Sequence, residues 1–229
     1  AHPGAVPALR RLAPQLCAVA VITGRPAEVA ARYAGVAGVT GLERLTVLGH
    51  YGRERWDART QHVSAPGPPP GLAAVRDRLP ALLADLGVPE GTAVEDKGSA
   101  VAVHVRRSAD PEAALAMLRG PLAALAARHG LAVEPGRMVL ELRPPGVDKG
   151  AALRGLVREC GAACVLYAGD DLGDLAAYDA VDALRAERTA GVKVFSRSAE
   201  VTALAERADL VVDGPAGVVA LLDGLADAL

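Results

Sequence analysis

Apolar positions along this chain follow two rhythms. Near-continuous runs rich in Val, Ile and Leu recur at 16–22, 45–48, 164–168, 192–195 and 210–212, and stretches with helical spacing lie between them. A run without polar alternation suits a strand buried on both faces, and strands alternating with helices predict an α/β fold, a parallel sheet covered by helices. Helices are expected at 4–15, from 26 to 33, at 149–160 and after 212. Pro26 suits the first turn of the second, where a missing N–H costs nothing. Gly49 and Gly52 mark a turn after the strand at 45–48.

The middle of the chain reads differently. Residues 58–71 hold Pro66, Pro68, Pro69 and Pro70 among polar neighbours and read as a linker. Beyond it come a helix at 72–86, a strand at 100–106, a helix at 111–129 and strands at 131–134 and 138–142. The strand at 100–106 alternates apolar and polar residues, which predicts a sheet with one exposed face. The expected organisation is a core from 1–60 and 143–229, interrupted by an inserted α+β unit at 61–142.

Composition narrows the function. With 51% apolar residues in 229, the chain can bury a sizeable core. A net charge of −2 gives no electrostatic reason to expect nucleic acid or an anionic membrane as partner. No apolar run approaches a membrane span and no leader pattern opens the chain, so a cytoplasmic protein is expected. Cys17, Cys160 and Cys164 lie in or beside apolar runs without metal-type pairing, and read as reduced, buried structural thiols. The chain begins with Ala1 and has methionines only at 117 and 138, so a segment upstream is expected.

Three places carry candidate chemistry. In Tyr167-Ala168-Gly169-Asp170-Asp171-Leu172-Gly173-Asp174 an apolar strand runs into three carboxylates, where open α/β sheets hold their ligands. Clustered like charges there call for a hard cation such as Mg²⁺, while aspartates at the start of a helix are also ordinary caps. Thr23-Gly24-Arg25 also follows a buried strand, where a hydroxyl and free N–H groups can cradle a phosphate or simply cap the next helix. Lys149 sits at a helix N-terminus against the macrodipole, a position that a phosphate would compensate and that an exposed lysine could also occupy.

Hydroxyl, lysine and acid cluster in this order resemble the haloacid dehalogenase superfamily, with Thr23 in its second motif, Lys149 in its third and Asp170, Asp171 and Asp174 in its fourth. Further stretches resemble the trehalose-phosphatase family within it: Glu95, Lys97, Ser99, His104 and Arg106 its cap signature, Leu140-Glu141-Leu142-Arg143-Pro144 with Lys149-Gly150 its third-motif segment, and Thr23-Gly24-Arg25 its Ser/Thr-Gly-Arg. The resemblance implies a Rossmann-like parallel-sheet core with an inserted α+β cap. It further implies hydrolysis of trehalose 6-phosphate with Mg²⁺. Thr23, Lys149 and Asp170 would be catalytic, and Asp170, Asp171 and Asp174 would hold the metal. Arg25, Glu95, Lys97, His104, Arg106 and Glu141 would bind the sugar phosphate, and a trehalose-phosphate synthase is an implied partner. The family's D-x-D-G-T motif, source of its aspartate nucleophile, has no counterpart in the 229 residues. A piece of an active enzyme and a non-catalytic sugar-phosphate-binding module are both compatible with that, as is a phosphatase for another sugar phosphate. The polar residues of the inserted unit could equally be the solvent-facing half of alternating strands.

Overall fold

The computed structural model describes residues 2–197 and 204–229. The chain divides into two compact units, Ala1–Ala65 with Val147–Leu229, and Pro66–Gly146.

The first unit opens with α1 (Ala5–Leu12), which tightens into a 3₁₀ turn at Ala13–Gln15, where Pro14 lacks the N–H that a continued helix needs. β1 (Val19–Ile22) lies parallel to β2 (Leu45–Gly49), with α2 (Ala27–Ala34) between them. Pro26 is the residue before α2, and Gly35 ends that helix in the left-handed conformation. β2 pairs antiparallel with β3 (Glu54–Asp57), and β3 with β4 (His62–Ser64). This hairpin was not expected, since 58–71 reads as linker and 61 as the start of the inserted unit. β4 belongs to the first unit because Val63 pairs with the buried Trp56 of β3.

The unit resumes with α5 (Lys149–Cys160), β9 (Cys164–Gly169), α6 (Leu175–Ala186), β10 (Ala190–Ser196), β11 (Leu210–Val212) and α7 (Gly214–Ala228). Parallel pairing orders the last three strands β11-β10-β9. The single parallel sheet expected from the sequence is thus two sheets among the described residues, β1-β2-β3-β4 and β11-β10-β9, with β1 and β9 as end strands. Hydrophobic packing brings the two halves together where Ile22 of β1 packs against the cluster of Leu153, Val157, Tyr167 and Phe195. β2 is buried throughout, Thr46 included, as its near-continuous apolar run implies, whereas Leu166 of the end strand β9 is 38% exposed. The cysteines also depart from expectation: Cys17 and Cys164 are exposed and Cys160 half-buried. Cys160 ends α5, Cys164 opens β9 and Cys17 precedes β1 by two residues, so none is in the middle of an element.

The second unit contains α3 (Leu72–Asp85), β5 (Ala93–Asp96), β6 (Val101–His104), α4 (Pro111–Arg128), β7 (Ala132–Gly136) and β8 (Val139–Arg143). Its antiparallel sheet has the order β5-β6-β8-β7. Asp110 caps α4 by accepting from the Ala113 N–H. Val101, Val103, Leu140 and Leu142 turn toward Leu79, Leu118 and Leu122 of the helices and close the core. The register then places Glu95, Ala102, Glu141 and Glu134 in one row on the opposite face. β5 was not expected, because all four of its residues are exposed and only pairing with β6 makes them a strand. Pro135 is tolerated because β7 is an edge strand. Among the described residues no helix is long and apolar enough to cross a membrane.

Candidate active site

Asp148 starts α5: its side chain accepts from the Ala151 N–H at 2.7 Å, so Lys149 is the first helical residue. The first turn of α5 then meets α6 at Gly150, where an added Cβ would lie 2.2 Å from the Ala176 carbonyl oxygen. That close approach carries the Lys149 side chain into the acid loop after β9. Its Nζ donates to Asp174 at 2.7 Å and to Asp171 at 3.3 Å. Gly150→Ala is expected to force the two helices apart, lowering stability by about 1–3 kcal/mol, which chemical denaturation measures.

Asp174 is the best-connected carboxylate of the loop. One oxygen accepts from Lys149 and from the Tyr167 hydroxyl at 2.5 Å, and the other from the backbone N–H groups of Asp170 and Asp171 at 2.9 and 3.1 Å. A carboxylate has about four lone-pair positions, and these four bonds occupy them. Gly169 is needed here, because a Cβ would meet the Asp174 carboxyl carbon at 2.5 Å. Asp170 and Asp171 stand exposed, while Asp174 is buried behind them, and all three offer oxygens within 4.8 Å of one another.

Charge in this cluster is unevenly balanced. Burial works to raise the Asp174 carboxyl, but the field and bonds of Lys149, with those of Tyr167 and the loop N–H, hold it below the ordinary carboxylate range. Lys149 is opposite: burial alone would lower it, and Asp174 with Asp171 holds it above the usual lysine value. Burial and the Asp174 carboxylate push the Tyr167 hydroxyl up, so it stays a donor. Although its side chain is exposed, Asp170 is held above the usual range by partial desolvation in the loop and by the negative charges of Asp174 and Asp171, which Lys149 only partly offsets. A hard cation is what such a set of oxygens suits.

The loop after β1 reaches the same rim of the unit by another route. Thr23 Oγ1 accepts from the Arg25 N–H at 3.2 Å, the Thr23 carbonyl accepts from the Tyr51 N–H at 2.9 Å, and the Arg25 carbonyl from the His50 N–H at 3.0 Å. His50 and Tyr51 adopt φ of +45° and +58°, and Tyr51 lies so close to Gly24 that a Cβ there would meet its hydroxyl at 2.7 Å. Gly52 packs against Ala152 of α5, two residues beyond Gly150. The turn at His50–Gly52 therefore ties the Thr23 loop to the helix that carries Lys149. The Arg25 guanidinium lies over the Tyr33 ring at 5.8 Å. Thr23 and Arg25 make no direct side-chain bond to Lys149 or to the acids among the described residues.

The remaining expected site residues belong to the second unit. Lys97 Nζ donates to Glu141 at 2.6 Å, and His104 Nε2 lies 2.8 Å from Glu95. Arg76 of α3 holds the intervening turn through Asp96 at 2.6 Å and the Gly98 carbonyl at 2.7 Å. Arg106, just past β6, is exposed and makes no ion pair among the described residues. Tyr167, Tyr51 and Arg76 were not singled out from the sequence. Only Tyr167 carried a signal, a hydroxyl in a strand buried enough to demand a partner.

Comparison with known proteins sets this geometry in context. A haloacid dehalogenase-like hydrolase from Bacteroides thetaiotaomicron has the same fold, with a TM-score of 0.60 at 17% identity over 96% of this chain and 90% of that one. Trehalose-6-phosphate phosphatase of Aspergillus fumigatus also shares it, with a TM-score of 0.70 at 21% identity over 99% and 84%. The fold is thus that of the haloacid dehalogenase-like hydrolases. More particularly, the chain belongs to the trehalose-phosphatase family, which it matches over residues 1–213. A trehalose-phosphate phosphatase of Mycobacterium avium is 34% identical over 238 residues, covering 99% of this chain and 56% of the relative. The chain spans about half the length of the curated relatives it matches.

Proposed function

We propose that this chain is the phosphate- and metal-binding body of a phosphomonoesterase that hydrolyses trehalose 6-phosphate. The observation that carries the reading is the Lys149–Asp174 ion pair at the carboxyl end of β9, with Asp170 and Asp171 exposed beside it. Lys149 has three N–H donors and uses two on Asp174 and Asp171, which leaves one for a phosphate oxygen. Thr23 keeps its O–H for a second phosphate bond, since its oxygen only accepts from Arg25. Asp170 and Asp171 fit direct contact with Mg²⁺; Asp174, with both oxygens engaged, fits the role of orienting them. Bound there, the metal would neutralise charge on the transferring phosphoryl group. Sugar recognition falls to the polar row of the second unit, where Glu95, Lys97, His104 and Glu141 pair with one another and Arg106 stands nearby.

The nucleophile of the reading is an aspartate on a strand outside these 229 residues, forming an aspartyl phosphate that water then hydrolyses. The open edges of β1 and β9 support this, since both are end strands among the described residues and the apolar Leu166 of β9 is exposed. The test is phosphate release from trehalose 6-phosphate, with sucrose 6-phosphate and a glycosyl phosphoglycerate as competitors. The full-length protein is expected to hydrolyse the trehalose ester fastest, with loss on EDTA treatment, while the 229-residue chain shows no turnover. Binding without hydrolysis by the full-length protein would make it a non-catalytic sugar-phosphate module.

A further inference from the structure

In the second unit the turn between β5 and β6 carries Lys97, and hydrophobic packing does little to hold it. No residue from 93 to 99 is buried, and β5 is an end strand that pairs with β6 alone among the described residues. Within the turn the Lys97 N–H donates to the Ala100 carbonyl at 3.0 Å and the Ser99 N–H to the Lys97 carbonyl at 2.9 Å, while Gly98 adopts a φ of +76°. Arg76 of α3 supplies the missing tie. Its Nη2 donates to Asp96, the residue before Lys97, at 2.6 Å, and to the carbonyl of Gly98, the residue after it, at 2.7 Å. The same Asp96 oxygen also accepts from the Gly98 N–H at 2.8 Å.

Both ends of this tie are fixed by the fold. Arg76 follows Val75, which with Leu72 and Leu79 is buried in the core of the unit, so α3 offers a rigid base. Asp96 lies opposite the core residue Val101, whereas Glu95 lies opposite Ala102 in the polar row. Alternation thus turns Asp96 to the helix side, within reach of Arg76, and Glu95 to the other face. Lys97 then reaches Glu141 of the polar row at 2.6 Å. An ion pair as exposed as Arg76–Asp96 contributes little to stability, so its main consequence is where it holds the turn.

We infer that Arg76 is a positioning residue for the sugar phosphate: by holding the residues on either side of Lys97, it sets the Lys97 ammonium beside Glu141 before the ligand arrives. This rests on the proposed recognition of trehalose 6-phosphate by Lys97 and Glu141, and gives Arg76 no contact with the ligand. A lysine has a long flexible stem, and ordering such a side chain on binding costs affinity. With its backbone held at both neighbours and its ammonium on Glu141, Lys97 has lost much of that freedom in advance. Without Arg76 the turn keeps only its own backbone bonds and the β5–β6 ladder, and the ordering cost falls on binding. The loss belongs in substrate affinity, because no bond is made or broken at this turn.

The test is steady-state phosphate release from trehalose 6-phosphate by the full-length protein, as wild type, Arg76→Ala, Lys97→Ala and the double variant. Arg76→Ala is expected to raise KM roughly three- to tenfold with kcat within about twofold of wild type. Its melting temperature should stay within roughly 4 °C. Asp96→Ala, which removes the acceptor instead of the donor, should give the same split. In the Lys97→Ala background Arg76→Ala should add less than about a twofold rise, since its effect runs through Lys97. If the full-length protein binds the ester without hydrolysing it, Kd from calorimetric titration replaces KM. Lys97→Ala with wild-type affinity, or a wild type that neither binds nor hydrolyses the ester, would overturn the sugar-phosphate role of Lys97 and the positioning with it. Reduced affinity in Lys97→Ala but not in Arg76→Ala would overturn the positioning alone. So would a kcat that falls together with stability, or an Arg76→Ala effect that persists undiminished without Lys97.

Discussion

Replacing Asp174 with alanine is expected to lower the stability of the protein at pH 7 by about 3–5 kcal/mol, the loss typical when one partner of a buried ion pair is removed. Four donors lose their acceptor at once: Lys149, the Tyr167 hydroxyl and the N–H groups of Asp170 and Asp171. Lys149 and Tyr167 are largely buried, so water cannot fully replace the missing carboxylate. The effect has a signed pH dependence. Because the Asp174 carboxyl is depressed in the folded protein, its contribution is complete above the unfolded value of about 3.9 and is lost as pH falls through the lower folded value. Lys149 is raised, so its contribution holds below about 10.4 and is lost as pH rises through its higher folded value. Guanidinium titrations of wild type and Asp174→Ala should therefore differ most between these limits and converge in acid. A loss under about 1 kcal/mol at pH 7 would remove Asp174 from the centre of the loop.

Asp170→Asn separates chemistry from architecture. The Asp170 side chain is exposed, and its backbone N–H, which asparagine retains, donates to Asp174. Stability should change by no more than about 0.5 kcal/mol. In the full-length protein, Mg²⁺-dependent phosphate release should fall by roughly 10²–10³-fold, the scale set by losing one charge-stabilising group. Calorimetric titration of Mg²⁺ onto the variant should show weakened binding. Wild-type turnover by Asp170→Asn would take the metal away from this carboxylate. The contrast with Asp174 is the informative result: two aspartates four residues apart, one holding the loop, the other exposed for a ligand.

Much of the site was legible because its pieces are local. Asp170, Asp171 and Asp174 follow directly from an apolar strand into a glycine, and Lys149 follows an aspartate cap, so each position could be read from neighbours in sequence. What the three acids do individually was not legible. Their division of labour depends on Tyr167 and Lys149, seven and twenty-five residues from Asp174, and on the helix approach at Gly150. The same holds in the second unit, where alternation put polar residues on one face but pairing selected Lys97 with Glu141 and Glu95 with His104. Arg76 was invisible because a helical arginine with a partner twenty residues away has no sequence signature.

By itself the sequence determined the elements whose cause is short-range. The near-continuous apolar run of β2, the caps Asp110 and Asp148, and the glycine that ends α2 act through residues a few positions away. Only the tertiary structure decided what depends on partners distant along the chain. It made strands of the exposed β5 and of β4, which pairing rather than hydrophobic content sustains, and it set β1 and β9 in separate sheets. It turned three similar aspartates into one buried anchor and two exposed acids. The physical reason is range: propensity and capping act within one or two turns, whereas ladders and buried ion pairs exist only once packing has brought distant residues together.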